Sequence, residues 1–163
     1  MVSEPTWYSG DIGWGDNLDP LEDGFTHINV YSKGLTHIGR LLTNFAPTSF
    51  THPTYGYFSS MEGYWYWVTT GMVHDELRDF GGYQAKVAGK RLPRKSHPDF
   101  ERLICEGLAA KLACNSTIHH LLVTSSLPLC HYYVYGSKMV VPRGGLTPFY
   151  ILFLEDYRTL HKA

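Results

Sequence analysis

The chain has 163 residues, 44% hydrophobic, 15% aromatic and 18% charged, with a formal net charge of −1. That length fits one domain with a sizeable core, and 12 Tyr, 8 Phe and 4 Trp exclude an intrinsically disordered chain. No apolar run reaches the roughly 20 residues of a bilayer-spanning helix; Met-Val-Ser-Glu-Pro-Thr-Trp at the start lacks a basic-then-apolar leader pattern, so a cytoplasmic protein with no membrane partner is expected.

Residues 1–27 follow neither the helical nor the strand period and hold six acids (Glu4, Asp11, Asp16, Asp19, Glu22, Asp23) but no Lys or Arg. They predict an irregular acidic arm, with the domain proper over 28–163. Ile28 to Tyr31 predicts a short strand stopped by Gly34. Phe45 to Tyr57, broken by Pro47 and Pro53, predicts a long loop with extended pieces. A helix is predicted from Ser59 or Ser60 to Gly71, with Ser59-x-x-Glu62 as a capping box. Its apolar residues cover most of the circumference, so it should be buried.

Short helices are predicted over Val73–Phe80 and from Tyr83 to before Pro93. The clearest helix spans about residues 98–114, capped by Ser96, with Phe100, Leu103, Ile104, Leu108 and Leu112 on the helical period. Another begins near Ser116. Gly136-Ser137 predicts a two-residue hairpin between Cys130–Tyr135 and Lys138–Val141. A last helix opens at Thr147-Pro148, with Phe149, Leu152, Phe153, Tyr157 and Leu160 as its apolar face. The fold class is α+β: a single compact, mainly helical domain with a small β-sheet.

Lys86, Lys90, Arg91, Arg94 and Lys95 fall within ten residues that contain no acid. Such a cluster binds phosphate groups or forms a solvated basic loop. Cys105, Cys114 and Cys130 show no Cys-x-x-Cys pairing and suit a reducing compartment. Nine histidines include no His-Glu-x-x-His frame, and no metal is expected.

The segments richest in chemistry are Gly39 to Pro47 and Ser60 to Trp65. A loop asparagine beside an acid set among aromatics is what a nucleoside-like ligand needs. Rings stack on the base or ribose, the amide fixes hydroxyls, and a desolvated carboxylate acts as acid or base. Glu62 either fills that role or closes the capping box with Ser59. Lys33 either holds a phosphate or is a surface lysine at a strand end. Trp67 reads as core. His131, Tyr133 and Tyr135 share one strand face, which is either core or a pocket wall.

Tyr31-Ser32-Lys33, Thr43-Asn44-Phe45, Ser60-Met61-Glu62-Gly63-Tyr64-Trp65 and Ala85-Lys86, followed by a long helix and a Tyr-Gly hairpin, resemble the NADAR superfamily and its riboflavin-intermediate N-glycosidase relatives. The resemblance covers about residues 28–158, and Gly-Arg-Leu-Leu before Thr-Asn-Phe is similar to the phage-type branch. Thr43 replaces the usual Ser, Gly63 stands where many members have His, and the Trp expected after the basic stretch is absent.

The resemblance implies an N-glycosidase that removes ADP-ribose from guanine, DNA among its candidate substrates, in bacterial or infected-host cytoplasm. It implies no cofactor. Two alternatives accompany it: a glycosidase of a small phosphorylated riboflavin-pathway intermediate, and a non-catalytic module that binds NAD or ADP-ribose. The implied roles are Glu62 and Lys33 as catalytic residues, the latter as a phosphate ligand or an imine-forming amine. Arg40 and Lys86 bind pyrophosphate, Asn44 the ribose, and Phe45, Trp65 and Tyr135 line the site.

Overall fold

The computed structural model describes residues 18–142 and 147–162, so most of the predicted arm, residues 1–17, lies outside the described residues. The chain divides into two compact units interleaved in sequence. One is built from the described residues up to Leu42 and from Leu121 onward, the other from Thr43 to His120. Among the described residues helices predominate, and the short strands form three two-stranded pairs. Among the described residues no helix is long and apolar enough to cross a membrane.

In the first unit, β1 (Ile28–Asn29) pairs in parallel with β2 (Leu129–Cys130). The pairing is locked by side chains. The Asn29 amide donates to the Tyr132 carbonyl (3.0 Å) and accepts the Tyr132 N–H (3.0 Å), and the buried Asp23 carboxylate accepts the N–H of Asn29 and of Leu35. Residues 18–27 are therefore not all arm: Pro20–Glu22 forms a 3-10 turn, and Asp23 and His27 are buried. The five-residue α1 (His37–Leu41), which the sequence periods do not announce, starts at Thr36, whose hydroxyl caps the Gly39 N–H. The predicted hairpin is present as β3 (Tyr133–Tyr135) and β4 (Lys138–Val140), with Gly136 at φ 62° in its turn.

Helix α2 (Phe149–His161) departs from its predicted face. Its buried residues are Phe149, Ile151, Leu154 and Arg158, while Leu160 is exposed. Arg158 takes a core position because its guanidinium is satisfied there, donating to Glu155, to the Ser125 hydroxyl and to the Leu127 carbonyl. A pattern that counts only apolar residues cannot register such a position.

The second unit holds the antiparallel pair β5 (Phe50–His52) and β6 (Gly56–Phe58), then α3 (Met61–Thr69), a 3-10 segment (Asp75–Asp79), α4 (Gly82–Lys90) and α5 (Phe100–Cys114). Helix α6 (Ser116–Thr124) contains the boundary between the units. The core of the unit is aromatic: Tyr64 sits edge-on to Phe50 and Phe58, Phe58 edge-on to Trp67, and all four rings are buried. Trp67 is core, as its place in an all-round apolar helix predicts, and its indole N–H reaches Asp75 at 3.2 Å. Helix α3 packs on α4, α5 and the 3-10 segment. Helix α5 starts at Phe100 rather than at the predicted Pro98, with Asp99 in the cap position.

Candidate functional site

The site is built around the N-terminus of α3. Its cap is Ser60, one residue later than the predicted capping box: the buried Ser60 hydroxyl accepts the Gly63 N–H (3.1 Å) and donates to the Phe80 carbonyl (3.0 Å). Ser59 instead pairs its hydroxyl with that of Tyr57. This one-residue shift moves Glu62 out of the position from which a glutamate reaches back to the cap, a position now held by Gly63. Glu62 therefore does not close a capping box.

Gly63 has its own reason. A Cβ there would lie 2.5 Å from the Leu77 carbonyl oxygen, so the 3-10 segment leaves no room for a side chain at this position.

The Glu62 side chain makes no hydrogen bond or ion pair among the described residues, and the residue is half-buried. Burial raises its carboxyl pKa from 4.5 to about 7, while Lys86 and Lys90 on α4 pull it back down. The group is thus a carboxyl poised near neutrality, without a structural partner, at a helix end whose dipole favours negative charge. Its own backbone N–H, one of the unpaired donors of the first turn, goes to the Asn44 carbonyl at 2.9 Å.

That bond joins the two motifs of the sequence. Residues 43–46 form a turn closed by the Ala46 N–H on the Thr43 carbonyl (3.3 Å), and the half-buried Asn44 amide has no hydrogen-bond partner among the described residues. Phe45 is covered by the start of α4, where a Cβ on Gly82 would fall 2.7 Å from the Phe45 Cα. One turn further on, the Lys86 ammonium lies 5.6 Å from the Phe45 ring centroid, within cation–π range. The second unit therefore brings Asn44, Phe45, Glu62 and Lys86 together.

The remaining predicted residues are placed differently. Trp65 is 8% exposed, with its ring edge-on to Phe100 at 5.2 Å. That contact packs the ring against the first turn of α5. Lys33, Arg40 and Tyr135 belong to the first unit. Lys33 is exposed. Arg40 is exposed and donates to the Gly34 carbonyl at 2.8 Å. Tyr135 is 60% exposed and stacks on Tyr133 at 6.1 Å.

Sequence reasoning misses one group at this site. Lys111 on α5 is fully buried, and its Nζ donates to the Thr43 carbonyl at 2.8 Å. The signal was available: position 111 falls in the apolar stripe of Ile104, Leu108 and Leu112, where a lysine is out of place.

No protein-family profile matches the sequence, and no curated protein matches it. The fold is α+β, as the sequence predicts. Among solved structures the chain is similar to the NMR structure of the Escherichia coli protein YbiA, with a TM-score of 0.63 over 88% of this chain and 92% of that chain. The two sequences are 16% identical.

Proposed function

We propose that this protein is an N-glycosidase that hydrolyses the bond between ADP-ribose and a nucleobase, guanine first among them. The observation that carries the reading is the pairing of Glu62 and Asn44: two residues whose backbones are bonded at 2.9 Å, one with a carboxyl raised to about 7 and each with a side chain that has no hydrogen-bond partner among the described residues. The α+β fold and the order of the NADAR-like motifs support it. Breaking an N-glycosidic bond builds positive charge at the anomeric carbon. An ionised Glu62 stabilises that charge and, with a pKa near the working pH, takes a proton from the attacking water.

Asn44 offers donors and an acceptor to ribose hydroxyls. Lys86 binds the pyrophosphate, and Phe45 supplies an apolar wall. Lys33, Arg40 and Tyr135 belong to the first unit, and the reading is carried by the second unit alone. Trp65, three residues after Glu62 on α3, is proposed as a further apolar wall.

The test is to incubate the protein with ADP-ribosylated guanosine, alone and within single-stranded DNA, and to follow free ADP-ribose. Release from either substrate is expected. Turnover of a phosphorylated riboflavin-pathway intermediate alone would change the substrate and keep the chemistry. Tight ADP-ribose binding without turnover of any of these would overturn the enzyme in favour of a binding module.

A further inference from the structure

Lys111 is 1% exposed and sits between Leu108 and Leu112 on the buried face of α5. A methionine or leucine would fill the same volume without the cost of burying an amine. What lysine adds is a donor that reaches across the core of the unit to the Thr43 carbonyl at 2.8 Å. Burial lowers its pKa from 10.5 to about 7. The titratable groups on the elements packed against α5 are His52 on β5 and Glu62, Tyr64 and Tyr66 on α3; none of them contributes to that shift. Charged or neutral, the amine keeps an N–H to donate, so the bond does not depend on its protonation state.

The Thr43 carbonyl accepts from Lys111 and from the Ala46 N–H, and the next carbonyl, that of Asn44, accepts from Glu62. Bonds on two consecutive carbonyls thus tie α5 to the turn and the turn to α3. We propose that Lys111 is a positioning residue, holding the Asn44 amide and the Glu62 carboxyl in register through the backbone of residues 43–45. Its consequence for catalysis rests on the glycosidase reading; the tether itself does not.

The experiment compares wild type with Lys111→Met by residue-resolved amide hydrogen exchange, ADP-ribose titration and turnover of ADP-ribosylated guanosine. Exchange at the Glu62 amide should speed up about tenfold in Lys111→Met, the equivalent of one lost hydrogen bond, with protection in the middle of α5 unchanged. ADP-ribose affinity should fall, and the same substitution made in an Asn44→Ala background should produce no further fall, because Lys111 acts through Asn44. Unchanged Glu62 protection, or additive losses of affinity, would overturn the proposal.

If Lys111→Met does not fold, wild-type exchange decides. A Glu62 amide protected to the level of the α3 interior supports the tether, and one exchanging like an open loop overturns it. A wild-type protein that releases no ADP-ribose would sink the glycosidase reading while leaving the exchange test of Lys111 intact.

Discussion

The carboxyl of Glu62 has opposite consequences for stability and for chemistry. Its pKa rises from 4.5 to about 7 on folding, so between those values the folded state holds a proton that the unfolded chain releases. Stability contributed by this group is therefore fully present below pH 4.5 and lost as pH rises through about 7, a penalty on the order of 3 kcal/mol above that point. Glu62→Gln removes the penalty and breaks no hydrogen bond. Its melting temperature should exceed that of wild type at pH 8, with the gap closing towards pH 4.5. The same variant should lose at least about a hundredfold in turnover if the carboxylate is the base. A variant that is stabilised at pH 8 and still turns over at the wild-type rate would remove Glu62 from the chemistry. Asn44→Ala separates binding from folding in the same way. An amide that contacts ribose but no described protein group should weaken ADP-ribose binding by about 1–3 kcal/mol, read by calorimetric titration, and leave the melting curve nearly unmoved.

Helices α3 and α4 meet at a contact that admits no side chain. A Cβ on Gly89 would lie 2.2 Å from the Tyr66 ring, and Tyr66 is buried. Gly89→Ala would gain helix propensity, up to about 1 kcal/mol, but must push the ring or the helix aside at a cost of about 1–3 kcal/mol or more. A net loss of stability is expected in denaturant titration. Gly81→Ala, where a Cβ meets nothing within 4 Å, should change stability far less. Because α4 carries Lys86, a displaced α4 should also weaken binding of ADP-ribose. Packing of this kind is invisible in a sequence, where Gly89 reads as a weak point in a helix. The elements themselves were more legible. The all-round apolar run of α3, the period of α5 and the Gly136-Ser137 turn each announced their structure, because local pattern and tertiary placement agree there. Three of the features that escaped were set by partners distant in sequence: the cap at Ser60, which also bonds Phe80; the buried Arg158; and Lys111, whose partner is 68 residues away. A fourth, α1, is too short for a period to show. The Glu62 and Asn44 motifs could be read in advance, but the bond between them could not.

Charge is segregated along the chain, with six acids and no Lys or Arg in residues 1–27 and 14 Lys or Arg in the rest, and titration and ligand choice both follow from where charges end up. Burial lowers the pKa values of His27, His52 and His131 below 6.5, so folding favours their neutral forms, and their stabilising contribution is lost as pH falls through those lowered values. At His52 burial outweighs the opposing pull of the Glu106 carboxylate, 3.6 Å from its Nε2, while its Nδ1 accepts the N–H of Thr54 and of Tyr55. Melting temperature should therefore drop on acidification below about pH 6.5, and His52→Gln should flatten part of that fall. The basic stretch bears on the substrate. Lys90 closes α4, Arg91 caps it, Arg94 and Lys95 follow, and all four are exposed. The Lys95 N–H bonds the Thr69 carbonyl at 2.8 Å, which fixes the stretch to the C-terminal end of α3, the helix that carries Glu62 in its first turn. Lys86 and Lys90 already influence the Glu62 carboxyl, so a single phosphate group beside Glu62 needs no more than these two. Arg91 and Lys95 become useful only to a ligand with several phosphates in a row. If the substrate is modified single-stranded DNA, each phosphate they neutralise should steepen the log–log salt dependence of binding by roughly 0.7. Arg91→Glu/Lys95→Glu should then lower turnover of ADP-ribosylated DNA, reduce its salt dependence, and spare ADP-ribosylated guanosine. Equal loss on both substrates, or loss on neither, would count against a nucleic-acid ligand. The small-metabolite glycosidase would then be the better account, with Lys86 and Lys90 supplying all the positive charge its phosphate requires.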